Sequence, residues 1–375
     1  MAMRLSRLVT PAVGGGILAI CVGSMPVEVR TQVPVPAATL TPSPLPLPNP
    51  YRVDNSFTLE MPKGLQTLGS VSSLKVGPDN NLYVFHRCVE DSCTGHDAIP
   101  TILVYTQQGK LLREMGAGQF NWPHGIFVMP DSSVWVTDAG SVPEANGKPG
   151  VGDQIFHLNR SGKVLMTLGK AGVAVAGRDT LNKPSDVLVA RNRDIFVADG
   201  HSGGATRIVK FNSKGEYVTE CGGRGNGPGQ MAQPHALAMD SQGRLFLADR
   251  TNNRINIYDQ NCTFLEEWKQ FGRPSGIAID RNDMMYVVDT QTTVGRPGFE
   301  NGIYIGRAKD GKVTGFIPKI RPRSAWEVAA GRAAGSTAAD TSDTTNMESI
   351  AVTPDGGAIY GGEVTLKTAV KFVKR

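Results

Sequence analysis

Six short segments of this chain share one position whose residue type alternates between small and metal-ligating. In VSSL, WPHGI, KPSDV, QPHAL, RPSGI and NMESI that position holds Ser72, His124, Ser185, His235, Ser275 and Glu348. If six copies of a unit surround one axis, alternate copies lie about 120° apart. Two imidazoles and a carboxylate would then converge on one point. Neutral imidazole with carboxylate is a donor set for a divalent metal with an open side, zinc first, with manganese or iron tolerated. A lone histidine after a proline is more often a polar loop residue. Two at symmetric positions, with a carboxylate at the third, favour coordination, so His124, His235 and Glu348 are the expected metal ligands.

Two further residues belong beside that point. Arg87 ends VFHR, one residue past the end of a strand-like stretch, where a guanidinium can hold a carboxylate or a developing oxyanion. An ion pair with a neighbouring acid is the plainer reading of the same residue. His201 follows VADG on a loop that should rim the same channel, and an imidazole there can act as general base near neutral pH. Arg87 and His201 are therefore the expected catalytic side chains.

The elements that must position these groups repeat with the ring. Fourteen residues after the ring position stands an acid in four copies, Asp138, Asp199, Asp249 and Asp289; the first copy has His86 there, and Glu363 comes one residue late in the last. Acids recurring this way read as scaffold, since a catalytic acid need occur only once. Before each of these residues runs a strand pattern (NLYVF, SVWVT, DIFVA, RLFLA, MMYVV, AIYGG) of aromatic and β-branched residues alternating with small or polar ones. Turns such as GPDNN and DSQGR separate ring and strand. A third strand follows each acid position (TILVY, QIFHL, RIVKF, RINIY, GIYIG, AVKFV), and a fourth, such as YVTEC or FLEEW, follows that. Arg207 and Arg254 open two third strands and are expected to pair with Asp199 and Asp249. His157, within a third strand, reads as packing.

Four strands in six units predict an all-β fold, a six-bladed β-propeller spanning residues 51–375. The last unit stops after its third strand. The missing strand is expected from FTLEM at residues 57–61, so that an N-terminal strand completes the last blade and leaves no open edge.

Composition agrees with one such domain. The 375 residues include 44 Gly and 24 Pro, and only 19% are charged. Residues 1–24 read as an export signal: Arg4 and Arg7, an apolar run from Leu8 to Val22, and a small-residue cleavage site at Val22-Gly23-Ser24. Cys21 offers a lipid anchor as the alternative, although Ile20 fits such a site poorly. Pro11 and three glycines in the run argue against a membrane helix. Without residues 1–24, 37 basic residues face 34 acidic ones, a net charge of +3, too mild and dispersed to suggest nucleic acid. Residues 25–50 form a Pro-rich linker. The expected protein is exported, to the periplasm or the medium, and monomeric. Among the remaining cysteines, Cys88 and Cys93 could close a tight loop beside the site, and Cys221 and Cys262 fall near outer strands of neighbouring blades, with the pairing open.

Over residues 60–375 the chain resembles the NHL-type propellers and, within them, the peptidyl-α-hydroxyglycine α-amidating lyases. The resemblance lies in VFHR at 84–87, FNWPHGI at 120–126, VADG with RIVKF at 197–211, and QPHALAMD with LADRTNNRI at 233–255. It implies one catalytic zinc held by three histidines. It also implies an arginine and a tyrosine that assist cleavage of a carbinolamide into a peptide amide and glyoxylate. By position His124 and His235 match two zinc ligands and Arg87 the arginine. Glu348 stands where the third histidine would be, and His201 where the tyrosine would be. The family's structural calcium uses backbone carbonyls and an aspartate; that aspartate position holds Ser349, so calcium is not carried over.

The expected function is a metal-dependent carbon–nitrogen lyase acting on a small-molecule or peptide substrate. The alternative is a non-catalytic NHL propeller that binds a peptide, glycan or protein partner across one face. A propeller lactonase ranks third, because such pockets are rich in carboxylate and asparagine, whereas this ring offers histidines.

Overall fold

The computed structural model describes residues 47–89, 91–140, 151–289, 292, 299–319 and 347–375. The expected export signal, Cys21, most of the Pro-rich linker and the Ala/Ser/Thr-rich stretch 321–346 lie outside them.

The described chain forms six four-stranded antiparallel sheets, the expected six-bladed β-propeller. In five blades the strands run in sequence order from the axis outward, and in the sixth the outermost strand comes from the N-terminal side. The inner strands are Val71–Val76, Pro123–Val128, Pro184–Val189, Pro234–Met239, Pro274–Ile279 and Met347–Val352. Second strands such as Leu245–Asp249 and Ile195–Asp199 are buried along their whole length, while outer strands such as Tyr217–Gly222 alternate between half-buried and exposed residues. This is the pattern of sheets packed face to face with one wet rim. The core lies between blades. One cluster joins Phe246, Ile255 and Trp268 of the fourth blade to Ile277, Met285, Tyr304 and Phe316 of the fifth. Each such side chain contributes about 1.5–3 kcal/mol by leaving water.

The ring closes through an N-terminal strand, but not the expected one. Tyr51–Val53 pairs antiparallel with Phe372–Lys374 and completes the last blade. FTLEM instead crosses to the first blade: Glu60 N–H donates to Gly109 O at 2.8 Å, Leu111 N–H donates to the Glu60 carboxylate, and Leu59 is buried. Alternation made FTLEM the more conspicuous strand. Tyr51 prevails because its ring is buried and its hydroxyl donates to Gly356 O at 2.6 Å.

Both candidate disulfides are formed, Cys88–Cys93 and Cys221–Cys262. The second ties the outer strand of the third blade to a turn of the fourth. Among the described residues no helix is long and apolar enough to cross a membrane.

Candidate metal centre

All six ring positions fall on a break in strand register. In the first blade Val71 faces His86 and Ser73 faces Phe85, leaving Ser72 as the extra residue. The same break isolates Ser185, Ser275 and Glu348, and it isolates His124 and His235 together with the residue after each. A bulge re-aims the side chain it carries. Repeated six times at the same end of the inner strands, it turns the ring residues toward the axis. Proline precedes four of the six, at the first strand position, where the absent N–H costs no ladder bond.

The strand-end acids hold the approach to the ring, as expected of scaffold. Asp138 accepts from the backbone N–H groups of Asn121 and Trp122, both at 2.8 Å. Burial still raises its carboxyl to about 6. Asp199 accepts from Asn182 N–H at 2.7 Å and from Arg207 at 2.9 Å, and Asp249 from Ala232 N–H at 2.9 Å and from Arg254 at 3.1 Å. The two expected arginine pairs are thus present. His157 packs as expected, its ring stacked on Trp135 at 4.6 Å.

The small ring residues orient the histidines of the preceding blades. Ser185 O lies 2.6 Å from His124 Nδ1, and Ser275 O lies 2.6 Å from His235 Nδ1. A carbonyl only accepts, so each Nδ1 carries a proton and turns the ring's other nitrogen, Nε2, toward the axis. Burial, reinforced by the Arg250 charge, pushes His235 down to about 3, so that ring is neutral at physiological pH. Glu348 Oε1 stands 3.3 Å from His235 Nε2 and 3.6 Å from His124 Nε2. The three expected ligands therefore meet.

His201 meets them too. The loop after Ile195–Asp199 folds back so that the N–H groups of Gly200 and His201 both donate to Lys183 O, at 3.0 and 2.8 Å. Gly200 has φ 146°, and a Cβ there would lie 1.3 Å from Ala205 O, so no other residue fits without moving the loop. This backbone lowers the His201 ring into the channel mouth, 6% exposed, with its Nε2 at 3.9 Å from Glu348 Oε1. Burial and the two neighbouring imidazoles hold it well below the usual histidine range. His124, His201, His235 and Glu348 each bring a ligand atom within 4.8 Å of the others.

Two arginines flank the group. Burial tends to raise the Glu348 carboxyl, but the Arg87 charge outweighs it and holds it well below the carboxylate range. Arg87 is held by its Nε donating to Pro123 O at 3.0 Å, by Asp91 at 2.9 Å and by stacking over Trp122 at 3.7 Å. Its Nη2 lies 3.3 Å from Glu348 Oε2, without the alignment of a hydrogen bond, and has no hydrogen-bond partner among the described residues. Arg250 was not anticipated. It is 8% exposed, and its Nη1 lies 2.9 Å from His235 Nε2 and 3.7 Å from Glu348 Oε1. The signal was present in the repeat, since Arg250 follows Asp249 as Arg87 follows His86. Trp122, whose ring lies 4.9 Å from that of His201 and 5.4 Å from that of His124, had no signal apart from its place in FNWPHGI.

These residues fit a metal ion. A carboxylate oxygen and three imidazole nitrogens converge, and the buried Nε2 atoms of His124 and His201 have no hydrogen-bond partner among the described residues. Lone pairs crowded this way repel one another unless a cation lies between them. Inside the ring the channel leaves about 20 Å³ between His124, Ser185, His235 and Glu348, room for one small species.

Relatives share this architecture. A family model described as a 6-bladed β-propeller matches residues 179–296. A probable peptidyl-α-hydroxyglycine α-amidating lyase of Caenorhabditis elegans is 29% identical over 230 residues, covering 57% of this chain and 62% of its own. The NHL repeat-containing protein 3 of Homo sapiens is 30% identical over 208 residues, covering 53% and 58%. This chain is a six-bladed β-propeller similar in sequence to those lyases and NHL repeat proteins. It spans about three fifths of the length of these curated relatives. A solved gluconolactonase from Xanthomonas campestris aligns with a TM-score of 0.53 at 11% identity, covering 87% of this chain and 95% of that one, a likeness of fold alone.

Proposed function

We propose that this chain is an exported, metal-dependent carbon–nitrogen lyase that cleaves a carbinolamide bearing a carboxylate, releasing an amide and glyoxylate. The observation that carries the reading is the meeting of His124, His235 and Glu348 between two buried guanidiniums. The likeness to a probable amidating lyase supplies the reaction class.

His124, His235 and Glu348 would hold the ion, with zinc as the first candidate. A divalent ion bound there supplies Lewis-acid polarisation of the substrate oxygen. The other duties fall to the chain. Arg87 Nη2, without a hydrogen-bond partner among the described residues, is suited to take the substrate carboxylate. Arg250 adds a second positive charge across the channel. In the reaction the carbon–nitrogen bond breaks, the hydroxyl loses its proton as a carbonyl forms, and the amide nitrogen gains a proton. The two disulfides support an oxidising compartment outside the cytosol.

The test is glyoxylate release from a peptidyl-α-hydroxyglycine by purified protein, abolished by His235→Ala. The second reading, a propeller that only binds a partner, draws on the likeness to NHL repeat-containing protein 3. Metal-replete protein with no turnover of any carbinolamide, but with a chelator-insensitive ligand, would favour it.

A further inference from the structure

Resting on the metal-dependent reading, we propose that His201 is a ligand of the ion and not a free proton acceptor. The site then carries four protein donors, three imidazoles and one carboxylate, and it selects an ion that accepts five or six ligands.

The geometry of the four groups carries this. The rings of His124, His201 and His235 form a nearly equilateral triangle, with centroids 4.5, 5.0 and 5.2 Å apart. Glu348 Oε1 caps it at 3.3, 3.6 and 3.9 Å from the three Nε2 atoms. Donors bonded at roughly 2.1 Å to a common ion lie about 3–3.5 Å from one another, so the three carboxylate distances reach that range within a few tenths of an ångström, and all four ligand atoms already lie within 4.8 Å of one another. His201 Nε2 faces the same oxygen as the two ring histidines and, like His124 Nε2, is buried without a hydrogen-bond partner among the described residues. A base would instead need a nitrogen standing clear of the donors, within reach of the substrate proton. The backbone enforces the placement, because Gly200 and His201 are both anchored on Lys183 O.

The donor count bears on the ion. Four protein donors close a tetrahedral zinc site, and closed zinc sites are structural. A lyase needs a position for its substrate. The reaction class and four donors are compatible when the ion extends its coordination, as iron, manganese or cobalt do on mixed imidazole and carboxylate ligands. Glu348 would then contribute Oε1 to the ion while Oε2 stays beside Arg87.

The experiment loads chelator-treated protein with Co²⁺ and measures stoichiometry and affinity by competition with a chromophoric chelator, together with the visible spectrum. Wild type is compared with His201→Phe, which keeps the ring bulk without a donor, and with His201→Asn. The proposal expects one weakly absorbing Co²⁺ of five or six ligands in wild type. It expects binding at least about tenfold weaker in both variants, with an altered spectrum, since weakening a ligand's support alone costs 10–100-fold. Unchanged Co²⁺ affinity and spectrum in either folded variant, with lyase turnover lost, overturns the proposal and leaves the lyase reading standing. An intense four-coordinate spectrum in wild type overturns the open-coordination part. Weakened binding in the variants, with no carbinolamide turnover by wild type, upholds the ligand role and sinks the lyase reading instead.

Discussion

Neutralising Glu348 tests which force dominates the centre when no metal is bound. Two opposing effects act on its carboxylate. Nε2 lone pairs at 3.3–3.9 Å disfavour the charge, while Arg87 Nη2 at 3.3 Å and Arg250 Nη1 at 3.7 Å favour it. At an effective dielectric of about 20, each guanidinium contact is worth roughly 4–5 kcal/mol before desolvation. The net sign follows from the ionisation of the group. Its carboxyl is held well below the usual range, so the folded site prefers the anion over the acid, and the cations prevail. Glu348→Gln in chelator-treated protein should therefore lose about 3–5 kcal/mol, the usual cost of breaking a buried pair. That is a fall of roughly 4–7 °C in Tm for a domain of this size. The pH dependence follows the same sign. A carboxylate whose folded pKa is depressed contributes stability above its unfolded value near 4.5, and this is lost as pH falls through the folded pKa. Wild type should lose this contribution in acid below about pH 4.5, and Glu348→Gln should lack that component. Denaturant and thermal unfolding from pH 7 to pH 3 reads both. A chelated variant as stable as wild type at pH 7 would refute the reasoning and show that lone-pair repulsion offsets the arginines.

Three further outcomes are expected. Arg250→Ala removes the donor resting on His235 Nε2, so metal affinity should hold or rise while kcat/KM falls by about 10–150-fold, the loss of one charge-assisted bond; equal loss of metal would assign Arg250 a structural role. Replacing Cys221 and Cys262 by serine opens a loop of 41 residues and should cost about 4 kcal/mol on the chain-entropy account with metal content unchanged, read by urea unfolding with and without reductant. Gly200→Ala should cost at least about 1–3 kcal/mol through the strained backbone and the clash with Ala205 O, and it should weaken metal binding if His201 is displaced; neither change would mean that the loop yields freely.

Much of this molecule was legible in its repeat. The alternation of Ser72, His124, Ser185, His235, Ser275 and Glu348 placed three donors on one axis because blade symmetry converts sequence period into angle. Recurring acids after each ring position marked scaffold because every blade needs the same loop held. Other features were harder to read from the period. His201 sits on a loop whose course depends on Gly200 and Lys183 meeting in space, which spacing along the chain does not encode. Arg250 was hidden by its neighbour Arg254, whose repetition with Arg207 drew attention to the outer ion pairs. The closing strand at Tyr51–Val53 is three residues long, too short for alternation to show, and its register comes from tertiary contacts of the Tyr51 ring. The sixfold bulge at the ring positions is a property of strand pairing and leaves no residue pattern of its own except the prolines before four of its members.

Elemental analysis of purified wild-type and His124→Ala protein is the most direct test of a shared metal centre. The account predicts about one first-row divalent ion per wild-type chain and a clear loss in the variant; wild-type protein that carries turnover activity without any such ion would contradict it.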